Sequence, residues 1–197
     1  MQSRIALPIR FGLRRQAGDS TLTRAQRAIA DWARVDDYCA VLDLDCQGGT
    51  LLQYYLNRFN IRACGIAGNP EDEQRARATL ADKAEVLRAK LHDIPWESSS
   101  FDAVLMPRSF NSTGLPAILS EITRVMKPGA QFILAVPGTQ LPAWLGLGAK
   151  HSRHSSQPDN PYALMDLLSS HGFHDVSMRS SRLGAAAILA HTAESLV

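Results

Sequence analysis

Cysteine is scarce in this chain, with three among 197 residues: Cys39, Cys46 and Cys64. An odd count without a CxxC pair argues against a disulfide framework and a structural zinc site, and it reads as a protein of the reducing cytoplasm. Excess charge is lacking as well. Lys and Arg total 21 against 19 Asp and Glu, a formal net charge of +2, so the electrostatic footprint of a nucleic-acid binder is missing and no nucleic-acid partner is expected. Long apolar runs are missing too. The uncharged stretch over residues 130–149 has the length of a membrane span, but Pro137, Gly138, Pro142, Gly146 and Gly148 interrupt it, so no transmembrane segment is expected. The N-terminal residues show no secretory apolar region. What is present is an ordinary globular composition, 45% apolar and 20% charged, in a length that suits one domain with a sizeable core.

Residues 1–18 carry Arg4, Arg10, Arg14 and Arg15 and no acid. They read as a basic arm. A helix capped by Ser20 or Thr21 and burying Leu22, Ile29 and Trp32 follows. The arm reads as a solvated segment or lid, or else as a contact for a membrane surface, an acidic partner or organelle import, so residues 1–39 are taken as a lid or cap on a main domain of residues 40–197. From residue 40 the pattern turns α/β. Apolar runs predict strands over 40–44, 61–67, 85–89, 101–106, 131–136, 176–179 and 185–190. Helices are predicted over 50–59, 70–81 and 116–126, the last closed by Lys127-Pro128-Gly129, and from Asn160-Pro161 to about Gly172. Asn69-Pro70-Glu71-Asp72 is a strong helix start, with a cap, a proline at the first position and acids near the positive helix end. Strands alternating with helices imply right-handed crossovers and a doubly wound, largely parallel sheet with helices on both faces. His151 with His154, and His171 with His174, lack an acidic or cysteine partner at ligand spacing. They read as loop and helix-end side chains, and no metal is expected.

In such a sheet ligands bind beyond the carboxyl ends of the strands, which directs attention to Val41-Leu42-Asp43-Leu44-Asp45-Cys46-Gln47-Gly48-Gly49-Thr50. This segment resembles the first motif, D-L-G-C-G-x-G, of the class I S-adenosylmethionine-dependent methyltransferases, in particular their type 11 domains. The resemblance continues in order along the chain. Gly65-Ile66-Ala67-Gly68-Asn69-Pro70-Glu71 is similar to G-[VI]-D-x-S-P-E, Lys90-Leu91-His92-Asp93-Ile94-Pro95-Trp96 to D-A-x-x-L-P-F, and Ser100-Phe101-Asp102-Ala103-Val104 to S-F-D-x-V. Residues 119–130 resemble L-x-E-x-x-R-V-L-K-P-G-G, and His171-Gly172-Phe173 resembles A-G-F. The family's fold is a Rossmann-like seven-stranded sheet, mostly parallel with an antiparallel last strand.

The resemblance implies a cofactor site made of Asp43, Asp45, Cys46, Gln47, Gly48 and Gly49, of Ala67 and Gly68 after the second strand, of Lys90 and Leu91 after the third, and of Met106 at the end of the fourth. Arg108 and Asn111, with Trp144 after the fifth strand, are the substrate-side candidates. Methyl transfer from a sulfonium needs mostly positioning, the family has no universal catalytic residue, and none is named here. Three departures stand out. Only the last of the motif's three glycines survives, as Gly49, with Asp45 and Gln47 at the other two positions and Gly48 extra. Ala67 stands where the family has an acid that grips both ribose hydroxyls, leaving Asn69 and Asp72 as substitutes. Lys90 stands where an acid usually faces the adenine amino group. The implied function is methyl transfer from S-adenosylmethionine to a small molecule. The alternative is a methyltransferase-like protein without activity that serves as a partner subunit or scaffold.

Overall fold

The computed structural model describes residues 22–107, 114–136, 161–180 and 186–194. Its strands are β1 (Ala40–Asp43), β2 (Arg62–Ala67), β3 (Ala84–Arg88), β4 (Phe101–Met106), β5 (Met126–Val136), β6 (Phe173–Ser180) and β7 (Ala186–Thr192). They form one seven-stranded sheet in the order β3-β2-β1-β4-β5-β7-β6. The pairs among the first five strands are parallel, whereas β7 runs antiparallel to both β5 and β6. The helices are α1 (Arg24–Trp32), α2 (Thr50–Leu56), α3 (Pro70–Leu80), α4 (Leu115–Val125) and α5 (Pro161–Ser170).

Side chains alternate across a strand, and here both sets are apolar. Leu42, Ile66, Val104, Phe132 and Ile188 share one buried cluster with Leu119 and Ile122 of α4 and Leu164 and Leu168 of α5. Val41, Ala63, Leu105, Ile133 and Leu189 share the other with Ile29 of α1, Leu52 and Tyr55 of α2, and Ala76 and Leu80 of α3. The sheet is therefore covered on both faces, which explains strands that read as near-continuous apolar runs.

Three local expectations are corrected. The cap of α1 is Thr23: its hydroxyl accepts from the Gln26 N–H while the Gln26 side chain accepts from the Thr23 N–H. This is a reciprocal capping box; the expected caps Ser20 and Thr21 lie outside the described residues. Helix α2 stops at Leu56, three residues short of the predicted end. Lys127-Pro128-Gly129 does not close a helix but lies inside β5. There the register with β4 jumps from Phe101–Met126 to Ala103–Gln131, so the intervening residues bulge out. Gly129 takes φ 72°, the Thr192 hydroxyl donates to the Lys127 carbonyl (2.6 Å), and Lys127 pairs with Asp102 (2.8 Å).

Candidate functional site

The chain order of the sheet reverses at β1: β2 and β3 lie on one side, β4 and the rest on the other. Such a switch point opens a crevice beyond the carboxyl ends of the strands. Asp43, Ala67 and Met106 are the last residues of three adjacent strands there. The loop after β1 is tied across both neighbours. Leu44 N–H donates to the Leu105 carbonyl (2.9 Å) and Cys46 N–H to the Ile66 carbonyl (3.0 Å). The fit is tight at Gly65, where an added Cβ would lie 2.9 Å from the Cys46 Cβ and 3.1 Å from a Leu52 methyl.

The backbone explains which glycines this loop needs. Gln47 sits at φ 43° and Gly49 at φ 77°, the left-handed region, which costs a non-glycine residue about 1–2 kcal/mol. The turn into α2 thus demands unusual dihedrals at two positions and receives a glycine at one. Asp45 is not among the described residues with positive φ, so its side chain requires no such backbone.

Asp43 is fully buried. Its Oδ1 accepts the Asp45 N–H (3.1 Å), while its Oδ2 has no hydrogen-bond partner among the described residues. Burial pushes its carboxyl up to about 7; the Asp45 N–H opposes this rise and the Asp45 charge adds to it. A buried acceptor without a donor is costly, and a cation delivered to that oxygen would remove the cost. Asp45 is nearly buried and accepts from the Gln47 amide (3.3 Å). The Cys46 thiol is pushed far up by burial and by the carboxylates of Asp43 and Asp45. It stays protonated and acts as packing. Cys64 is pushed up to about 11, again mainly by burial.

The end of β2 is different. Ala67 is fully buried and offers no side-chain acceptor, and the space where a Cβ of Gly68 would sit is open. Asn69 caps α3: its Oδ1 accepts the Asp72 N–H (2.8 Å) and its Nδ2 donates to Asp72 Oδ2 (2.7 Å). Arg75 takes Asp72 Oδ1 (2.5 Å). Both substitutes for the lost acid are thus engaged with each other and with α3, in a cap worth about 1 kcal/mol.

Lys90 is exposed and closes a turn through the Asp93 N–H to its carbonyl (3.0 Å). Leu91 is half-buried against the cluster shared with α4, and Met106 is buried opposite Leu134. Arg108, Asn111, Trp144, His151, His154 and the basic arm lie outside the described residues. Two features escaped the sequence reading. The Tyr55 hydroxyl is buried with no hydrogen-bond partner among the described residues, which no pattern signals. Glu121 and Arg124 form a network with residues 94–96; their i,i+3 spacing on one helix face was visible, but their targets were not. A cleft of about 370 Å³ between α1 and α2, lined in part by Ala30, Tyr54 and Arg58, includes none of the residues singled out from the sequence. Among the described residues no helix is long and apolar enough to cross a membrane, and no group of three or more His, Cys, Asp or Glu is arranged to hold a metal.

Residues 42–134 match the family model described as a methyltransferase domain. Over these residues the chain resembles the class I S-adenosylmethionine-dependent methyltransferases. The methyltransferase domain is similar to the ubiquinone/menaquinone biosynthesis C-methyltransferase of Brucella anthropi, with 39% identity over 102 residues, 46% of this chain and 38% of that protein. It is also similar to a sterol 4-C-methyltransferase of Caenorhabditis elegans, with 27% identity over 113 residues, 54% of this chain and 33% of that protein. The matches thus span about a third of the length of these curated relatives. In fold it resembles a putative methyltransferase of Haloferax volcanii solved in complex with the Trm112 methyltransferase activator. The TM-score is 0.70 at 21% identity, covering 86% of this chain and 89% of that one.

Proposed function

We propose that this protein transfers a methyl group from S-adenosylmethionine to a small molecule. The observation that carries this reading is the buried Asp43 carboxylate with one oxygen unpartnered among the described residues, at the switch point of the sheet. An ammonium group is the complementary ligand for that oxygen, and the cofactor's methionine end bears one. In this proposal Asp43 pairs with the ammonium, directly or through water. The loop 45–49 supplies backbone at close range, with open space beside Gly48 and Gly68. The Leu91 amide meets the adenine ring, and Met106 gives an apolar wall. Ala67 contributes contact only, so the ribose hydroxyls lack the charged acceptor that the family places there.

When bound, the cofactor supplies a methyl group already activated on a sulfonium. What the chain adds is orientation and exclusion of water, effects that in well-aligned reactions lower a barrier by about 7–11 kcal/mol. That the acceptor is a small molecule is supported by the two curated relatives, both named for C-methylation, one of a sterol and one in ubiquinone/menaquinone biosynthesis. Arg108, Asn111 and Trp144 remain the proposed acceptor-side residues.

Titration calorimetry with S-adenosylmethionine and S-adenosylhomocysteine tests the reading. Micromolar binding that weakens in Asp43→Ala is expected, and an acceptor screen follows from it. No binding at millimolar ligand overturns the enzyme reading and redirects the work to a scaffold role, with the fold untouched.

A further inference from the structure

The crossover from β3 to β4 is a long irregular segment, and one ion pair on α4 grips its backbone. Arg124 Nη2 donates to the Ile94 carbonyl (2.9 Å) and Nη1 to the Trp96 carbonyl (2.9 Å). Glu121 Oε2 accepts the Ile94 N–H (2.9 Å). The two side chains lock each other through Nε to Oε1 (2.7 Å) and Nη2 to Oε2 (2.8 Å). Both backbone polar groups of Ile94 are therefore taken by a single Glu–Arg pair, in the bidentate geometry that only a guanidinium offers. From the other side, the Trp96 indole N–H donates to Glu85 Oε2 of β3 (3.0 Å) and its ring packs edge-on against Phe101. The Arg124 guanidinium holds the Glu121 carboxyl below its ordinary range, so the pair is ionised at neutral pH.

The anchor begins one residue beyond the turn that Lys90 and Asp93 close. Residues 90–93 are thus held at one end by β3 and at the other by the pair on α4. An exposed ion pair by itself contributes little to stability. This one spends its hydrogen bonds on the backbone of a segment that leaves the carboxyl end of the sheet, where the candidate site lies.

We propose that Glu121 and Arg124 are positioning residues of the cofactor site, which hold residues 90–93 where the Leu91 backbone meets the adenine ring. This rests on the reading that the chain binds S-adenosylmethionine. Among the hydrogen bonds described, the tie of the Lys90–Asp93 turn to α4 runs through Ile94 and Trp96, beside the apolar packing of Leu91 on the cluster that α4 shares.

The test compares wild type with Arg124→Lys and Glu121→Gln, conservative variants that keep the apolar core intact. Amide hydrogen exchange is followed over residues 90–97. Affinity is measured for S-adenosylhomocysteine and for 5′-methylthioadenosine, which carries the adenine but no amino-acid end. Glu121→Gln, which removes the charged acceptor of the Ile94 N–H, is expected to unprotect the Ile94 amide. Arg124→Lys, which breaks the bonds to the Ile94 and Trp96 carbonyls, is expected to raise exchange across residues 94–97. Each variant is expected to weaken both ligands by the same factor, on the order of tenfold for the loss of charge-assisted bonds. Asp43→Ala is expected to weaken only S-adenosylhomocysteine. Unprotected amides with unchanged affinities would overturn the positioning role, as would binding of S-adenosylhomocysteine by wild type without binding of 5′-methylthioadenosine. Unchanged exchange would overturn the clamp itself. If wild type binds neither ligand, the function proposed above fails and this role with it, while the exchange result still decides whether the clamp exists.

Discussion

The carboxyl ends of β1 and β2 lie side by side, yet they differ in what they leave unspent. At β1 a buried carboxylate keeps one oxygen without a partner among the described residues. At β2 the polar groups are closed among themselves, Asn69 with Asp72 and Asp72 with Arg75, and the terminal side chain is a methyl. One end leaves a buried acceptor open among the described residues, and the other closes into a helix start. The same scaffold position therefore carries either a ligand contact or a structural one, and the orphaned atom tells them apart.

The largest expected effect comes from destroying the loop that presents Asp43. Gly49→Ala places a Cβ 2.8 Å from Leu80 at φ 77°, and left-handed strain plus overpacking together cost about 3 kcal/mol. A smaller loss in the urea midpoint would mean the loop relaxes and is not the rigid element described. Next is Asp43→Asn, which removes the charge and keeps the shape. Affinity for S-adenosylhomocysteine is expected to fall by about 10- to 100-fold.

The pH dependence of wild type sharpens the same point. The folded Asp43 carboxyl titrates near 7 and the unfolded one near 3.8. Between those values the native state holds the extra proton, so its stability falls as pH rises. Asp43→Asn is expected to flatten that slope in melting curves from pH 4 to 7. A bound ammonium favours the ionised form, so wild-type affinity is expected to rise over the same window. An affinity independent of pH there would separate Asp43 from the ligand.

Ala67→Asp tests the other end. Restoring an acceptor beside β1 is expected to raise affinity about tenfold, at some loss of stability because the position is fully buried. No gain would show that the ribose is held elsewhere. The smallest effect is expected from Gln47→Gly. It relieves a left-handed residue at φ 43° and stabilises by about 0.5–1 kcal/mol, read as a shift in melting temperature.

Much of the fold was legible because its signals are short-range. The seven apolar runs became the seven strands of one sheet, and Asn69-Pro70 starts α3 as expected. Two of the misreadings share a cause. Thr23 caps α1 through a bond to Gln26, and Lys-Pro-Gly becomes a bulge because Thr192 and Asp102 hold it within β5. In both places a specific partner outweighed a general propensity. For the candidate site, the positions along the sheet edge were readable from the ordered motifs, but the state of each side chain was not. Asp45 replaces a motif glycine without positive φ, whereas Gln47 does so with it, a distinction set by the path of the turn.

By itself, then, the sequence determined the two-faced sheet and the order of its elements, because apolar alternation and helix caps act between residues only a few positions apart. The tertiary structure alone decided which polar groups remain available. Whether Asp43 keeps a bare oxygen, whether Asp72 is spent on Asn69 and Arg75, and whether Arg124 reaches Ile94 thirty residues away all depend on where the packed chain brings its donors. A buried donor or acceptor is costly until a partner arrives, and only the folded molecule shows which ones still lack a partner.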